Sequence, residues 1–422
     1  IRVASRFHAI VSQAAVAYYL SIEDLTVFGT KDNGVDIEGT NNSNRGSYFT
    51  VKNCDITDCG NIGLQYVCMN NVRAESNYVR RCGNNGIAAT ASSYCTFESN
   101  DSGENKGTGI DFYDVTNGMM IKNILWGIRG AHGNGTAVYG TTSDITCEDI
   151  LLAGNQYYNT NMAFNNVRRL VVFGNLFRGD AGNPNYAITA WSSRYDGYQV
   201  WMNNTAPIAA TYALFLHRGR TDYPQDLPRH YVVNNVFHGL GIGGDGPKFW
   251  EYDPNKIRVE DRTYNAYTSY LWQQDSATGW SLHEGEKDLR TTPLTDMFVN
   301  PIYPDGDYHP KEGSPLHHTG KNVQGILTDL GIIAKFPEYD FTKDLAGNPW
   351  NSNPSIGCYE YGATLSKGDI NKDGKVNIQD VQCCVNHILG KQNWGTKADV
   401  NGDGKVDQND IKEIINIILG GK

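Results

Sequence analysis

The sequence lacks any apolar run long enough to cross a bilayer. Its most apolar stretch, Ala9–Ile22, is broken by Ser12, Gln13 and Ser21, whereas a membrane helix needs about 20 apolar residues. No CxxC pair of the kind that holds zinc is present. No charged-then-apolar leader opens the chain, and Ile1 falls inside a repeating pattern, so upstream residues, including an N-terminal cap, are expected to have been removed. Positive charge is also scarce. The formal charge is −10, and residues 366–422 carry eight acidic and eight basic side chains, so the whole deficit lies in residues 1–365. Such a surface repels nucleic acid. The nine cysteines are an odd number, leaving at least one without a partner in the chain. Cys59-Gly60-Asn61 recurs as Cys82-Gly83-Asn84, which predicts stacked, buried thiols rather than a disulfide.

What the chain has in quantity is glycine (46), tyrosine (25) and asparagine, the mark of turn-rich β structure. Its 422 residues leave room for two or more domains. A phrase of alternating apolar residues ending in Asn or Asp recurs along the first 240 positions. It defines a column at Asp24, Asn53, Asn77, Asn100, Asn123, Asp149, Asn175, Asn204 and Asn235, with spacings of 23 to 31 residues. Short strands with period-two alternation follow each one: Val35-Asp36-Ile37, Leu64-Gln65-Tyr66, Ile87-Ala88-Ala89, Ile110-Asp111-Phe112, Ala137-Val138-Tyr139, Ala187-Ile188-Thr189 and Leu214-Phe215-Leu216. A period near 25 with no helical segment predicts a mainly β fold, a right-handed parallel β-helix in which each coil buries its apolar face against its neighbours. The asparagines have a structural job: Asn tolerates left-handed turns, and stacked amides bond from coil to coil.

In these columns the sequence resembles the pectate-lyase-like superfamily of right-handed parallel β-helix proteins over residues 1–265. The segment 298–361, from Phe298-Val299-Asn300-Pro301 to Ile356-Gly357-Cys358-Tyr359-Glu360-Tyr361, looks like the closing segment of secreted β-helix proteins. Residues 266–361 are therefore expected to form the last coils and a cap over the exposed sheet edge. Residues 362–367 form a linker.

Residues 368–422 contain two twelve-residue loops thirty residues apart, Asp369–Asp380 and Asp399–Asp410. Oxygen ligands fall at Asp369, Asn371, Asp373, Asn377 and Asp380, with the Lys375 carbonyl. The second set is Asp399, Asn401, Asp403, Asp407 and Asp410, with the Lys405 carbonyl. Glycine at loop position 6 permits the sharp turn of an EF-hand calcium loop. Each loop runs into an apolar segment, Val381–Leu389 or Ile411–Leu419. The duplication, the Asp at position 12 and the short second helices make the module similar to a type I dockerin. The resemblance implies two Ca2+ ions and a cohesin domain on a scaffold or cell-surface protein as partner, read through Ile378-Gln379 and Gln408-Asn409.

In the polysaccharide-active members of the β-helix superfamily, the substrate lies along the outer face of the sheet built from the second column. The resemblance thus points to an acidic, aromatic groove. Its expected catalytic residues are Asp111, Tyr139, His132, His217 and Arg218, and its expected substrate-binding residues are Asp36, Tyr113, Arg129 and Trp191. Asp36 and Asp111 stand three coils, or ~14 Å, apart, too far for the carboxyl pair of a glycoside hydrolase. Asp111 then needs a loop carboxylate such as Glu104 or Asp114. The expected function is a secreted, extracellular polysaccharide lyase or glycoside hydrolase attached through the dockerin. The competing expectation is a non-catalytic structural or adhesive β-helix whose calcium module assembles it into a filament.

Overall fold

A computed structural model describes residues 8, 10–14, 19–41, 45–128, 133–141, 147–179, 186–190, 197–209, 212–217, 229–243, 258–269, 272–273, 282–304, 306–362, 367–371, 376–390 and 394–420. Contacts divide the chain into Ile1–Arg290 and Thr291–Lys422.

The first unit is a parallel β-solenoid with three strands per coil. Strands one coil apart pair in parallel, giving sheets of eleven, ten and eleven strands among the described residues. The first sheet contains Val35–Gly39, Leu64–Val67, Ile87–Thr90, Ile110–Tyr113, Thr136–Tyr139 and Met162–Asn165. The second begins each coil's return with strands such as Met69–Glu75 and Ser93–Glu98, and the third holds three-residue strands such as Tyr78–Arg80. Coils continue past residue 265, because Ala266–Tyr267 pairs with Lys287–Asp288 in the third sheet.

Period-two alternation decides what faces inward. Leu64, Ile87 and Ile110 stack in register and are fully buried. Rings stack with them: Tyr66, Phe97 and Phe112 lie at centroid separations of 5.8 and 5.1 Å. Burying each such side chain contributes about 1.5–3 kcal/mol, and the gain accrues only when a neighbouring coil is present to cover it.

The turn between the second and third sheets divides the asparagine's two expected jobs between two adjacent positions. A left-handed residue comes first: Asp24, Asn53, Ser76, Ser99, Lys122, Asn203 or Asn234, with φ between 51° and 59°. The next residue carries the amide ladder. Asn77, Asn100, Asn123, Asn155, Asn175, Asn204 and Asn235 each donate Nδ2 to the Oδ1 of the next, the last to Asn265, at 2.9–3.0 Å. Each Nδ2 also reaches a strand carbonyl of the preceding coil, as Asn123 does to Phe97 at 2.9 Å. The expected column is thereby corrected in three places. Asp24 and Asn53 occupy the left-handed position, and Cys54 stands where the ladder would run, donating its backbone N–H to Asn77 Oδ1 at 3.0 Å. Asp149 lies inside the strand Cys147–Ala153, and Asn155 takes the rung. Buried Glu286 ends the ladder, accepting from Asn265 at 3.1 Å and pairing with Arg262 at 3.2 Å.

No disulfide joins any of the nine cysteines. Cys59 and Cys82 are buried one coil apart, with the Gly83 N–H bonded to the Cys59 carbonyl at 2.8 Å. The glycine beside them is obligatory, since a Cβ on Gly83 would come within 1.9 Å of the Gly60 carbonyl oxygen.

In the second unit, Phe298–Asn300 and Asp307–Pro310 form an antiparallel pair, and short helices at Gln324–Asp329 and Ile332–Lys335 follow. Toward the C-terminus the helices Ile378–Ile388 and Gln408–Ile418 pack with Ile370, Trp394, Val400 and Ile414 among the buried residues. No described helix is long and apolar enough to cross a membrane.

Candidate functional site

Outward positions of the first sheet form two columns. The inner one reads Asp36, Gln65, Ala88, Asp111, Ala137, Ala163, Thr189 and Phe215. The other carries Glu38, Val67, Thr90, Tyr113, Tyr139 and Asn165. Alanine stands on both sides of Asp111, so the carboxyl group has small neighbours along the axis and taller ones, Tyr113 and Tyr139, beside it. Tyr113 is 39% exposed, an accessible ring at the margin of this floor.

The turn that enters the first sheet supplies amides. Asn85 Oδ1 accepts from the Thr108 N–H at 2.8 Å, and its Nδ2 donates to Asp111 Oδ2 at 3.1 Å. Asn134 accepts from Asn161 Nδ2 at 2.9 Å and is in hydrogen-bond contact with the Tyr139 side chain. These bridges shelter the floor, leaving Ala88 and Ala137 almost inaccessible. Asp111 itself is half-buried, but its Oδ1 is out of reach of solvent and has no hydrogen-bond partner. Burial pushes its carboxyl group up to about 7, against the smaller opposing effect of the Asn85 bond. Burial, and then the charge of Asp111, raises the Tyr139 phenol. The site thus pairs a carboxyl group that titrates near neutrality with a phenol that stays protonated there.

Of the expected residues, the fold brings Asp111, Tyr113 and Tyr139 together on adjacent coils. Asp36 lies three coils away in the same column, beside His8 Nδ1 at 3.6 Å, and burial raises its carboxyl group. The His217 backbone ends the strand Tyr212–His217 farther along the sheet. The His217 side chain and residues Arg129, His132, Trp191 and Arg218 lie outside the described residues. Both expected carboxylate partners of Asp111 have contacts elsewhere. Asp114 accepts from the Thr141 N–H and Oγ1 at 2.8 and 2.7 Å, while Glu104 lies 3.8 Å from Arg81 in the turn after the third sheet. The residues missed in the sequence are Asn85 and Asn134. They belong to a second amide column whose spacing follows the turn rather than the strands.

Asp101 on the third sheet also titrates near 7 because it is buried. The Trp126 indole holds its Oδ1, and Trp126 packs where a Cβ on Gly103 would collide with it.

In the C-terminal module each helix begins within its loop, at position 10. Asn377 and Asp407 are N-caps, and each forms a reciprocal capping box with Asp380 or Asp410. The position-12 carboxylates are fully buried. Asp380 accepts from the Ile370 and Asn377 N–H groups at 2.7 and 2.9 Å, and Asp410 from those of Asn401 and Asp407 at 3.0 and 2.8 Å. Asp399 accepts from the Gly402, Asp403 and Gly404 N–H groups at 2.8–3.1 Å. Gly404, at loop position 6, has φ 85°. Among the described residues no three acidic, His or Cys side chains converge on one point. The donors nonetheless suit a hard cation, since in the second loop every candidate ligand is an oxygen. In the first loop Asp373 and Lys375 lie outside the described residues.

Residues 367–419 match the model of the dockerin type I domain, a calcium-binding module, and residues 7–150 match that of the right handed beta helix region. No curated protein matches the chain. Among solved structures, a pectate lyase, Pel9A, is 12% identical, with 85% of this chain and 87% of that one covered at a TM-score of 0.36. The mannuronan C-5 epimerase AlgE4 A-module of Azotobacter vinelandii is 14% identical, with 67% and 79% covered at 0.43. The catalytic domain of a GH87 alpha-1,3-glucanase is 11% identical, with 59% and 64% covered at 0.21. These likenesses are too distant to speak for activity or substrate.

Proposed function

We propose that this chain, a parallel β-helix followed by a type I dockerin, is a secreted polysaccharide-cleaving enzyme that works at Asp111 and is tethered through its dockerin to a cohesin. The observation that carries the reading is the Asp111 carboxyl group. Its Oδ1 is buried without a partner, between alanines, on the face where a linear chain can lie along the coils. An unsatisfied buried acid of this kind costs free energy that a purely structural residue has no reason to retain.

Above pH ~7 Asp111 is an anion able to take a proton. Tyr139, kept neutral, donates a hydrogen bond to the substrate or leaving group. Lyase chemistry, removal of the proton beside a uronate carboxylate, needs this one base and a cation to neutralise the carboxylate. By chain position Arg129 and Arg218 are candidates for that cation, His132 and His217 for further proton transfer, and Asp36, Tyr113 and Trp191 for sugar contacts. A hydrolase needs a second carboxyl group about 5–10 Å away. With Glu104 beside Arg81 and Asp114 bound to Thr141, a lyase is the favoured form of the proposal.

The dockerin holds two Ca2+ ions, one per loop, and presents Ile378, which is 62% exposed, with Gln379, Gln408 and Asn409, at the helix starts for cohesin recognition. Incubation of the full chain with a panel of uronate-containing and neutral polysaccharides tests the reading. Unsaturated products support the lyase and new saturated reducing ends the hydrolase. No cleavage across the panel, with calcium-dependent polymerisation, supports the structural or adhesive alternative instead.

A further inference from the structure

The second sheet opens, coil after coil, with a residue forced into left-handed backbone geometry. Register places Tyr19, Tyr48, Asn71, Tyr94, Asn117, Asp149 and Arg169 in one column, and all have φ between 30° and 59°. Asn and Asp accept that region readily, whereas tyrosine does so only at a cost. Three tyrosines nevertheless occupy it, and all are exposed: Tyr19 by 81%, Tyr48 by 44% and Tyr94 by 55%. Tyr19 and Tyr48 stack at 4.5 Å with an 18° angle between their planes, and Tyr94 follows two coils later with Asn71 between.

Beside this column runs a second, one residue earlier in each strand: Ser47, Asn70, Ser93 and Thr116. Ser93 and Thr116 share a hydrogen bond of 2.9 Å between coils, and the Arg45 guanidinium donates to Ser93. From Tyr19 to Asn117, apart from Arg45, the named residues of this strip are phenols, amides and hydroxyls. The column turns charged only at its far end, where Arg169 donates to both oxygens of Asp149 at 2.6 and 2.9 Å.

We propose that this strip is a second carbohydrate site, separate from the Asp111 groove, which binds a neutral polysaccharide running parallel to the solenoid axis. Tyr19 and Tyr48 cover one face of each other, so the pair and Tyr94, set at multiples of the coil spacing, about 4.8 Å, meet the sugars with their outer faces and ring edges, and the amides and hydroxyls between them meet the sugar hydroxyls. The cations in and beside the strip are already engaged, Arg45 with Ser93 and Arg73 with Glu75 and Glu98, which favours neutral sugars over uronates. A strained tyrosine left about half exposed gains little from packing, so its exposed ring is what the position provides.

The test is affinity electrophoresis of the full chain through native gels cast with xylan, galactan, mixed-linkage β-glucan or polygalacturonate. Wild type is retarded in at least one neutral gel, and Y48G/Y94G loses at least tenfold in affinity there. Glycine relieves the left-handed geometry, so its melting temperature is unchanged or higher, which separates lost binding from lost folding. Y48F/Y94F keeps the rings and the retardation. D111N remains retarded, so failure of the groove reading leaves this outcome intact. Wild type unretarded in every neutral gel, equal retardation of Y48G/Y94G, or retardation abolished by D111N would each overturn the proposal.

Discussion

Asn85 Nδ2 lies 3.1 Å from one oxygen of Asp111, while the other oxygen is buried with nothing to bond. This half-satisfied carboxyl group links folding to pH. The unfolded aspartate titrates near 3.9 and the folded one at about 7. Between these values the folded chain keeps a proton that the unfolded chain has released, so stability falls as pH rises through the window and levels off above it. Asp111→Asn has no such loss. Its stability relative to wild type should improve by about 3 kcal/mol between pH 4.5 and pH 8, measured by denaturant unfolding of the β-helix. A difference independent of pH would contradict the burial of Asp111.

The two adjacent turn positions should respond differently to alanine. Asn123→Ala removes bonds to Asn155 and the Phe97 carbonyl and leaves Asn100 without its acceptor, at a cost of about 3 kcal/mol. Asn53→Ala alters only an exposed left-handed residue, at about 1 kcal/mol. Thermal melts of the two variants check the order, and equal losses would mean that the ladder contributes little.

Gly83→Ala should lower β-helix stability by roughly 3 kcal/mol or more, because the new methyl meets backbone, the Gly60 carbonyl oxygen, rather than a side chain that can move. A melting temperature within 2 °C or so of wild type would show that the coils can part at little cost.

Calcium should govern the last module alone. The second loop brings four carboxylates, Asp399, Asp403, Asp407 and Asp410, and the first three, Asp369, Asp373 and Asp380. Ligand charge tunes affinity, so Asp399→Ala should cost more stability than Asp369→Ala. At a hundredfold excess over Kd each ion adds about 2.7 kcal/mol. Calorimetry with and without chelator should show the module's transition lost and the β-helix transition kept. An unchanged module transition would contradict this.

Repetition made the fold legible. Period-two strands and the recurring Asn marked the coils, and the calcium loops carried their ligand spacing in plain order. The phase of the ladder was lost for one coil after Asn123 and regained at Asn175. That coil lengthens between the strands Thr136–Tyr139 and Cys147–Ala153, so even spacing picked Asp149 where Asn155 bonds. At Asn53 the turn puts Asn in the left-handed position and cysteine in the rung, which composition cannot distinguish. The sequence also placed Asp111, Tyr113 and Tyr139 on one face. What it hid was the cross-turn reach of Asn85 and Asn134, because contacts between coils depend on turn geometry rather than on strand register.

The most direct test of the central claim is the pH dependence of polysaccharide cleavage by wild type and Asp111→Asn on whichever uronate polymer the wild type degrades. Wild-type kcat/KM should rise through an apparent pKa of about 7. The variant should retain its fold and its substrate affinity yet lose about 100-fold or more in kcat across the range, with the inflection gone. A variant that keeps wild-type activity and the same inflection would show that Asp111 carries no proton in the reaction.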